Sequence, residues 1–347
     1  MSKGKVLIFH HTDLDGIGVK IIGMAYAYMN NKDYETFACN YHDVNDIVRD
    51  RISNDLTDVD TIIIADISVN REIAKLLNIL RNSTGIDIIL RDHHATAEWL
   101  GKEYEWAYVS EKTEGVERCG TYLLAREFPQ VMEKFKAFVT CVDYWDTWKW
   151  VDNGNDDARK LNSLLAMVGE DEFTDYIMSI HLDRNISRTK ELFDEWADNI
   201  AYAHQLVIIK TAKHCSKNMF TTTMTVNYEG TKYEYKAGIV FFNQDVSAVS
   251  DLILDENKDI DVLVVMSLPR SISFRTKKEL EVPLGAIAKM FTGAGGGHPA
   301  AAGSAISKSQ FDAGMGSLLD TILTNSYNLQ SPEQSITMAS LSLKENN

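Results

Sequence analysis

The chain has 347 residues and is 45% hydrophobic and 24% charged, which is typical of a globular protein with two domains. Its longest apolar runs, residues 6–9 and 262–266, are too short for a membrane span or a signal peptide, so we expect a cytoplasmic protein without membrane contact. The net charge of −15 excludes the broad basic surface with which proteins track long nucleic acids, so any nucleotide substrate should be short.

The first part of the chain alternates strand and helix patterns. Short apolar runs predict strands at residues 6–10, 36–40, 61–65 and 86–90. Apolar residues at helical spacing predict helices at residues 16–30, 44–52 and 70–80, the last capped by Asn70 or Ser68. This βαβα order predicts an α/β fold with a doubly wound parallel sheet and right-handed crossovers.

The rest of the chain divides into a helical part and a second α/β part. Residues 117–178 are mostly helical in pattern, and residues 187–214 predict one long connecting helix. Further strands are predicted at residues 221–228, 233–242, 261–267 and 271–275, with helices at residues 247–254 and 284–291. We therefore predict an N-terminal domain, a helical connector, a smaller C-terminal α/β domain and a polar tail, at residues 1–185, 186–214, 215–330 and 331–347.

The cysteines exclude two classes of small-domain scaffold. Cys39, Cys119, Cys141 and Cys215 are scattered and form no C-x-x-C pair, which argues against a zinc site and against a disulfide framework. We predict that they are reduced and partly buried.

Acidic and imidazole side chains follow three of the predicted strands. Asp13 and Asp15 come after the first strand, Asp66 follows residues 61–65, and Asp92-His93-His94 follow residues 86–90. Because the carboxyl ends of parallel strands meet at one edge, these side chains should lie together. Each alone could be a helix cap or part of a surface loop. Together they favour a site for two divalent metals about 3.5–4 Å apart, as in phosphoryl-transfer enzymes.

The C-terminal half carries residues suited to an anion. The glycines of Gly295-Gly296-Gly297-His298 allow a backbone to approach a phosphate closely, although a plain flexible loop is the alternative. Arg275, at the end of a predicted strand, has the geometry for a bidentate phosphate contact, or is simply solvated.

Aromatic and lone histidine residues give weaker signals. Trp145, Trp148 and Trp150 could stack on bases, but a core position is the stronger expectation. His42 and His181 belong to no motif and are interpreted as ordinary residues.

Five motifs in order resemble the DHH phosphoesterase family, in the subgroup with a C-terminal DHHA1-type substrate-binding domain. The first motif resembles that of nano-RNase-like (oligoribonuclease) members. The motifs are His11-x-Asp13-x-Asp15-Gly16, Asp66, Asp92-His93-His94, Asp143 or Asp146, and Gly295-Gly296-Gly297-His298. The resemblance covers nearly the whole chain and implies a metal-binding catalytic domain followed by a substrate-binding domain.

Carried over residue by residue, the resemblance assigns a role to each motif. It implies that His11 and Asp13 bind one metal, that Asp15 and His93 bind the other, and that Asp66 bridges the two. Asp143 or Asp146 would complete the set. Asp92 would orient the neighbouring imidazole, and His94 would face the scissile phosphate.

The first motif departs from the pattern of many relatives, which place the histidine four residues before the first aspartate. Phe9 stands at that position here, so His11 must take the role, with His10 as the alternative.

The function that we expect is exonucleolytic release of mononucleotides from short oligonucleotides, with two metal ions, Mn²⁺ being favoured over Mg²⁺ or Co²⁺. The C-terminal domain would hold the nucleotide through Arg275, Gly296, Gly297 and His298. Rival substrates are 3′-phosphoadenosine-5′-phosphate and linear or cyclic dinucleotides, and a different class of function is a non-catalytic nucleotide-binding protein. A homodimer is compatible with these features. RNA or DNA preference and cleavage polarity stay open.

Overall fold

The structure is a computed structural model that describes residues 4–110, 112–154, 156–267, 271–292, 295–297, 299–306 and 312. His298 and the predicted polar tail lie outside the described residues. The chain forms two compact units, Met1–Leu206 and Val207–Asn347, and each is described by itself.

The N-terminal unit contains a five-stranded parallel sheet, which confirms the predicted doubly wound architecture. Its strands lie in the order β2-β1-β3-β4-β5. They are β1 (Lys5–His10), β2 (Asp33–Ala38), β3 (Val59–Ala65), β4 (Asp87–Asp92) and β5 (Ala107–Val109). The chain order reverses between β1 and β3, and ligands of open α/β sheets bind beyond the carboxyl ends of the strands at such a point.

Helices cover both faces of this sheet. Those of the N-terminal unit, the last of which continues into the C-terminal unit, are α1 (Leu14–Met29), α2 (Val44–Ile52), α3 (Arg71–Thr84), α4 (Glu98–Glu103), α5 (Gly120–Ala125), α6 (Pro129–Asp146), α7 (Lys149–Asn153), α8 (Asp156–Val168), α9 (Glu170–Asp183) and α10 (Glu195–Lys217). A small hairpin, β6 (Lys112–Thr113) and β7 (Val116–Glu117), precedes α5. Asn70 caps α3 by accepting a 3.0 Å hydrogen bond from the Ile73 amide.

Alternate residues of the strands enter two separate cores. Val6 and Ile8 of β1 lie in the core that includes α1 and α6, whereas Leu7 and Phe9 lie in the core on the opposite face with α2 and α3. The four cysteines are free and buried, as predicted. With both faces covered, the carboxyl edge of the sheet is left for function.

The connecting helix begins later than the sequence pattern predicts. Residues 187–194 contain only a 3₁₀ turn, Thr189–Leu192, and α10 starts at Glu195. The side chain of Asp194 accepts a 3.0 Å hydrogen bond from the Ala197 amide and so caps the helix there. Leu192 is fully buried in the N-terminal core. Burial of this residue and the Asp194 cap together stop the helix from extending toward residue 187.

His181 of α9 should make folding sensitive to pH. Its ring is fully buried, stacks on Phe135 at 4.4 Å, and its Nδ1 donates to the Ile177 carbonyl. Burial lowers the pKa of His181 from 6.5 to about 4. Between those values the unfolded chain binds a proton that the folded chain does not, so stability falls as pH drops from 6.5 to 4, by about 3 kcal/mol.

Urea unfolding of the wild type and His181→Leu at pH 7 and pH 4.5 measures this effect. His181→Leu should remove most of the decrease in unfolding free energy that His181 causes between pH 7 and pH 4.5. His42→Asn, at an exposed position, should leave this decrease unchanged. If the free energy of unfolding fell equally between pH 7 and pH 4.5 in all three proteins, the loss could not be assigned to His181.

The C-terminal unit is a smaller α/β structure, as predicted. Its six strands lie in the order β12-β13-β11-β10-β9-β8, and among the described pairs only β9 and β10 are parallel. The strands are β8 (Phe220–Tyr228), β9 (Thr231–Phe241), β10 (Val262–Ser267), β11 (Ser271–Arg275), β12 (Gly296–Gly297) and β13 (Ala301–Ala305), and the helices are α11 (Val246–Glu256) and α12 (Leu284–Thr292). Within the described ranges, every helix is too short or too polar to cross a lipid bilayer.

Candidate functional site

Carboxylate and imidazole groups at the ends of β1, β3 and β4 and on α1 and α6 gather at the carboxyl edge of the parallel sheet. A first group consists of His11, Asp13 and Asp66, and a second of Asp15, His93 and Asp146. A third group, Asp66, Asp92, His93 and His94, shares one residue with each of the other two. Within each group one ligand atom per residue lies within 4.8 Å of the others, so residues far apart in the sequence form three overlapping sets of potential metal ligands.

The first group is organised around the imidazole of His11. His11 Nδ1 lies 3.0 Å from Asp13 Oδ2 and 3.9 Å from Asp66 Oδ2. The other oxygen of Asp13 accepts a 3.0 Å hydrogen bond from the Gly16 amide, because Asp13 also caps α1. Asp13 is therefore both the N-cap of α1 and a potential metal ligand, and one of its carboxylate oxygens is directed at the His11 imidazole.

His10 points away from this group. Its buried ring donates from Nδ1 to the His11 carbonyl at 2.7 Å, and its Nε2 lies 3.9 Å from Glu170 Oε1. Burial lowers the pKa of His10. Of the two histidines that the sequence left open, the structure brings His11 to the site.

The second group is centred on His93. Its Nε2 lies 3.8 Å from Asp15 Oδ2 and 3.7 Å from Asp146 Oδ2. The same nitrogen is 3.3 Å from Asp66 Oδ1. Asp66 therefore faces His93 with one oxygen and His11 with the other, which is the geometry of a carboxylate that bridges two sites.

The start of α5 holds Asp15 in place. Asp15 is buried and accepts hydrogen bonds from the amides of Gly120 at 2.6 Å and Thr121 at 2.8 Å. A Cβ atom at Gly120 would lie 2.7 Å from the Cβ of Asp66, so only glycine fits between the two carboxylates. Asp66 itself has a φ of +57°, an uncommon value for a residue with a side chain and one often found at functional sites.

Asp143 and Asp146 take different positions on the last turn of α6. Asp143 is buried, and its oxygens are held by Arg118 Nη1 at 2.7 Å, Lys149 Nζ at 3.2 Å and the Cys119 amide at 3.1 Å. Asp146 instead lies beside His93 in the second group. Sequence spacing alone could not separate the two residues, because the difference depends on Arg118 and Lys149.

The electrostatics of the site favour a bound cation. Burial, followed by the charges of Asp15, Asp13 and Asp146, raises the pKa of Asp66 well above its usual value. Burial and the neighbouring aspartates raise the pKa of Asp146 in the same way.

Asp66 Oδ2 is also buried without a hydrogen-bond partner among the described residues. An orphaned oxygen and mutually repelling carboxylates fit divalent metal ions, and the mixture of oxygen and imidazole ligands suits Mn²⁺.

Asp92 and His94, which belong to the third group, are joined by a hydrogen bond. Asp92 Oδ1 accepts from His94 Nδ1 at 2.7 Å, and Asp92 Oδ2 accepts from the Ser68 hydroxyl at 2.5 Å. Burial would lower the pKa of His94, but the hydrogen bond and charge of Asp92 raise it above its usual value.

Tyr41, which sequence reasoning missed, lies with its hydroxyl 3.0 Å from His94 Nε2. It follows β2, so its place after a strand end next to β1 was the available signal.

The C-terminal candidates lie around β11, β12 and β13. Arg275 ends β11, and its guanidinium donates to the carbonyls of Phe274 and Ala302 and toward the Ser247 hydroxyl. None of the described carboxylates forms an ion pair with it, and burial lowers the pKa of Arg275. A partly buried cation of this kind is suited to an anion.

The glycine run is a strand rather than a free loop. Gly296 and Gly297 form β12 and pair with Gly303 and Ala302 of β13, while Gly295 precedes the strand. A Cβ atom at Gly297, whose φ is +143°, would lie 2.5 Å from the Ala301 carbonyl oxygen. β12 is the edge strand of the described sheet, and close pairing with β13 explains why a glycine is required there.

The chain is similar to several known proteins. Residues 5–142 match the family model "DHH family, N-terminal domain". Oligoribonuclease NrnB from Bacillus subtilis is 25% identical over 315 residues, which cover 88% of this chain and 74% of that protein. The crystal structure of the exonuclease RecJ bound to manganese has a TM-score of 0.50 at 12% identity and covers 94% of this chain and 91% of RecJ. At that identity the likeness to RecJ concerns the fold alone.

Proposed function

We propose that the chain, whose residues 5–142 match the DHH family model, is a phosphodiesterase that hydrolyses short oligonucleotides to nucleoside monophosphates with two divalent metal ions. The observation that carries the proposal is the pair of ligand groups that share Asp66. Two cations held by such groups could clamp both the attacking and the leaving oxygen of a phosphodiester.

The residues divide into ligands and positioning groups. We assign His11 and Asp13 to one metal, Asp15, His93 and Asp146 to the other, and Asp66 to both. Bound divalent cations would lower the pKa of water, polarise the phosphoryl oxygens and stabilise the charge that develops on them. Mn²⁺ is the metal that we favour, since the ligand groups mix carboxylate oxygens with imidazole nitrogens.

His94 contributes through its imidazole. Asp92 fixes the ring by accepting from Nδ1, and Nε2, which contacts the Tyr41 hydroxyl at 3.0 Å, would exchange that contact for the scissile phosphate when substrate binds. Nε2 can then hold a phosphoryl oxygen or the leaving oxygen by a hydrogen bond. Asp143 is not assigned to a metal, because its oxygens already bind Arg118, Lys149 and the Cys119 amide.

The choice of short oligonucleotides has two supports. The net charge of −15 disfavours binding along a long polyanion. The relative NrnB is named an oligoribonuclease. We propose that the C-terminal unit binds the nucleotide through Arg275 and the glycines of β12.

The test is a panel of labelled di- to decanucleotides of RNA and DNA, 3′-phosphoadenosine-5′-phosphate and cyclic dinucleotides, each with Mn²⁺ and with a chelator. We expect Mn²⁺-dependent release of mononucleotides, fastest for oligomers of a few nucleotides. Rates that rise with length would contradict the proposal in favour of a long-strand nuclease. A preference for either of the other two substrates would replace it by the corresponding phosphatase or dinucleotide phosphodiesterase.

Arg275 should act in binding rather than in chemistry. Arg275→Met is expected to raise KM for a dinucleotide about 10- to 100-fold, because a charge-assisted phosphate contact is lost. Its effect on bis-p-nitrophenyl phosphate, which has no nucleoside, should be far smaller. Steady-state kinetics on both substrates measure the difference.

Lys277→Met is the matched control, because Lys277 is already paired with Asp251 at 2.5 Å and Asp255 at 2.9 Å. It should change neither KM. Equal effects of Arg275→Met on the two substrates would remove Arg275 from nucleotide recognition.

A further inference from the structure

Two cations meet on one buried carboxylate beside the candidate metal centre. Arg118 and Lys149 both contact Asp143 Oδ2, at 2.7 and 3.2 Å, while Asp143 is only 1% exposed. The side chains of Arg118 and Lys149 remain 25% and 21% exposed. Two cations thus share one carboxylate, so Asp143 neutralises only one of their two positive charges.

This basic pair is linked to the metal ligands through the backbone. Arg118 directly precedes Cys119 and Gly120, and the Gly120 amide holds Asp15 at 2.6 Å. Asp143 lies one turn before Asp146 on α6, and residues three apart on a helix share a face. The pair therefore lies next to the second ligand group, to which we assign Asp15 and Asp146.

The arginine is held in one orientation. Its guanidinium stacks over the Tyr122 ring at 4.2 Å in addition to its contact with Asp143. Lys149 also donates to the Glu117 carbonyl. An ordered guanidinium loses little further freedom when it binds an anion, which favours a phosphate contact.

Three tryptophans flank Lys149 in the chain. Trp145 packs against the core, stacks on Trp150 at 5.6 Å, and Trp150 in turn lies 6.1 Å from Trp148. Trp148 at the end of this row is 49% exposed and has a φ of +59°. A large indole kept at the surface in an uncommon backbone conformation indicates a binding role.

We propose that Arg118, Lys149 and Trp148 form a second nucleotide subsite, in which the two cations hold a non-scissile phosphate and the indole of Trp148 stacks on a base. The proposal deepens the proposed function and rests on it for the class of ligand. A trinucleotide has one phosphate more than a dinucleotide, so the subsite gives it tighter binding. The subsite should accept any base, because every base has a face that can stack on an indole.

The test is equilibrium binding of a di- and a triribonucleotide with hydrolysis-resistant phosphorothioate linkages to the wild-type protein with Mn²⁺, measured by calorimetry. The trinucleotide should bind about tenfold more tightly than the dinucleotide, and Arg118→Met or Lys149→Met should reduce that ratio below about twofold. Trp148→Ala should weaken trinucleotide binding about fivefold, and Trp148→Phe should restore most of it.

Lys160→Met is the matched control, because Lys160 is 26% exposed and pairs with Asp198 at 2.7 Å on another part of the surface. It should leave the ratio at about tenfold. Because Asp143 loses a partner in Arg118→Met, Arg118→Lys serves as the variant that keeps a cation there, and it should retain most of the ratio.

The outcomes separate this inference from the proposed function. A ratio near one in the wild-type protein, or a tenfold ratio that survives both methionine substitutions, overturns the subsite and leaves the proposed hydrolysis at the metal centre untouched. A ratio that responds as predicted in a protein that hydrolyses no nucleotide supports the subsite and removes the catalytic proposal.

Discussion

Asp66→Ala is expected to lower kcat for a short oligonucleotide at least about a thousandfold, the largest loss from any single substitution in this chain. Asp66 presents one oxygen to His11 and the other to His93, so its removal disturbs both ligand groups at once. Loss of the metals removes several kcal/mol of transition-state stabilisation, and each 1.36 kcal/mol is worth about tenfold in rate. Single-turnover kinetics at saturating Mn²⁺ measure the effect.

Asp60→Ala is the matched control, since Asp60 lies on β3, which Asp66 directly follows, but pairs with Lys32 at 3.0 Å. It should retain nearly full activity. An Asp66→Ala protein with more than about a tenth of wild-type kcat would contradict the bridging role.

Asp66→Asn should also stabilise the protein when metal is removed. Burial and the neighbouring aspartates raise the pKa of Asp66, so the metal-free folded state loses stability as pH rises from the unfolded value of 3.8 through the raised value. At pH 7.5 in chelator we expect a Tm several degrees above that of the wild type. With added Mn²⁺ the wild type should have the higher Tm, because only the wild type keeps the bridging ligand.

Asp146→Asn should produce the second-largest effect, a loss of kcat of about a hundredfold or more, whereas Asp143→Asn should act on stability. Asp146 lies 3.7 Å from His93 Nε2 in a ligand group, while Asp143 is held by Arg118 and Lys149. Loss of a buried partner for these partly exposed cations should cost about 2 kcal/mol of folding stability. Metal-dependent kinetics and urea unfolding of both variants separate the two roles.

The reverse pattern, with kcat abolished in Asp143→Asn and retained in Asp146→Asn, would exchange the assignments. A loss of activity in both, without a loss of metal affinity in either, would remove the last turn of α6 from the metal centre.

The sheet and the residues at its carboxyl edge could be predicted from the sequence because local patterns determine them. Apolar runs locate β1, β3 and β4 within a few residues, and the parallel arrangement brings Asp13, Asp66 and His93 together.

Features that depend on distant contacts could not be predicted. The hydrogen bonds from the first amides of α5 to Asp15 join residues more than a hundred positions apart. The contact of Tyr41 with His94 joins the ends of two strands that are not neighbours in the sheet.

The same reason explains the errors in local assignment. The periodicity of residues 187–214 predicts a continuous helix, but burial of Leu192 and the Asp194 cap delay its start to Glu195. The glycine run reads as a loop because its pairing partner, β13, has no strong strand pattern. In both cases tertiary packing overrides a local preference.

Anomalous diffraction from crystals soaked in Mn²⁺ would locate the metal ions at the carboxyl edge of the sheet. We expect two peaks about 3.5–4 Å apart, one beside His11 and Asp13, the other beside Asp15, His93 and Asp146, with Asp66 between them. A single peak, or peaks placed on Asp92 and His94 instead, would contradict this arrangement.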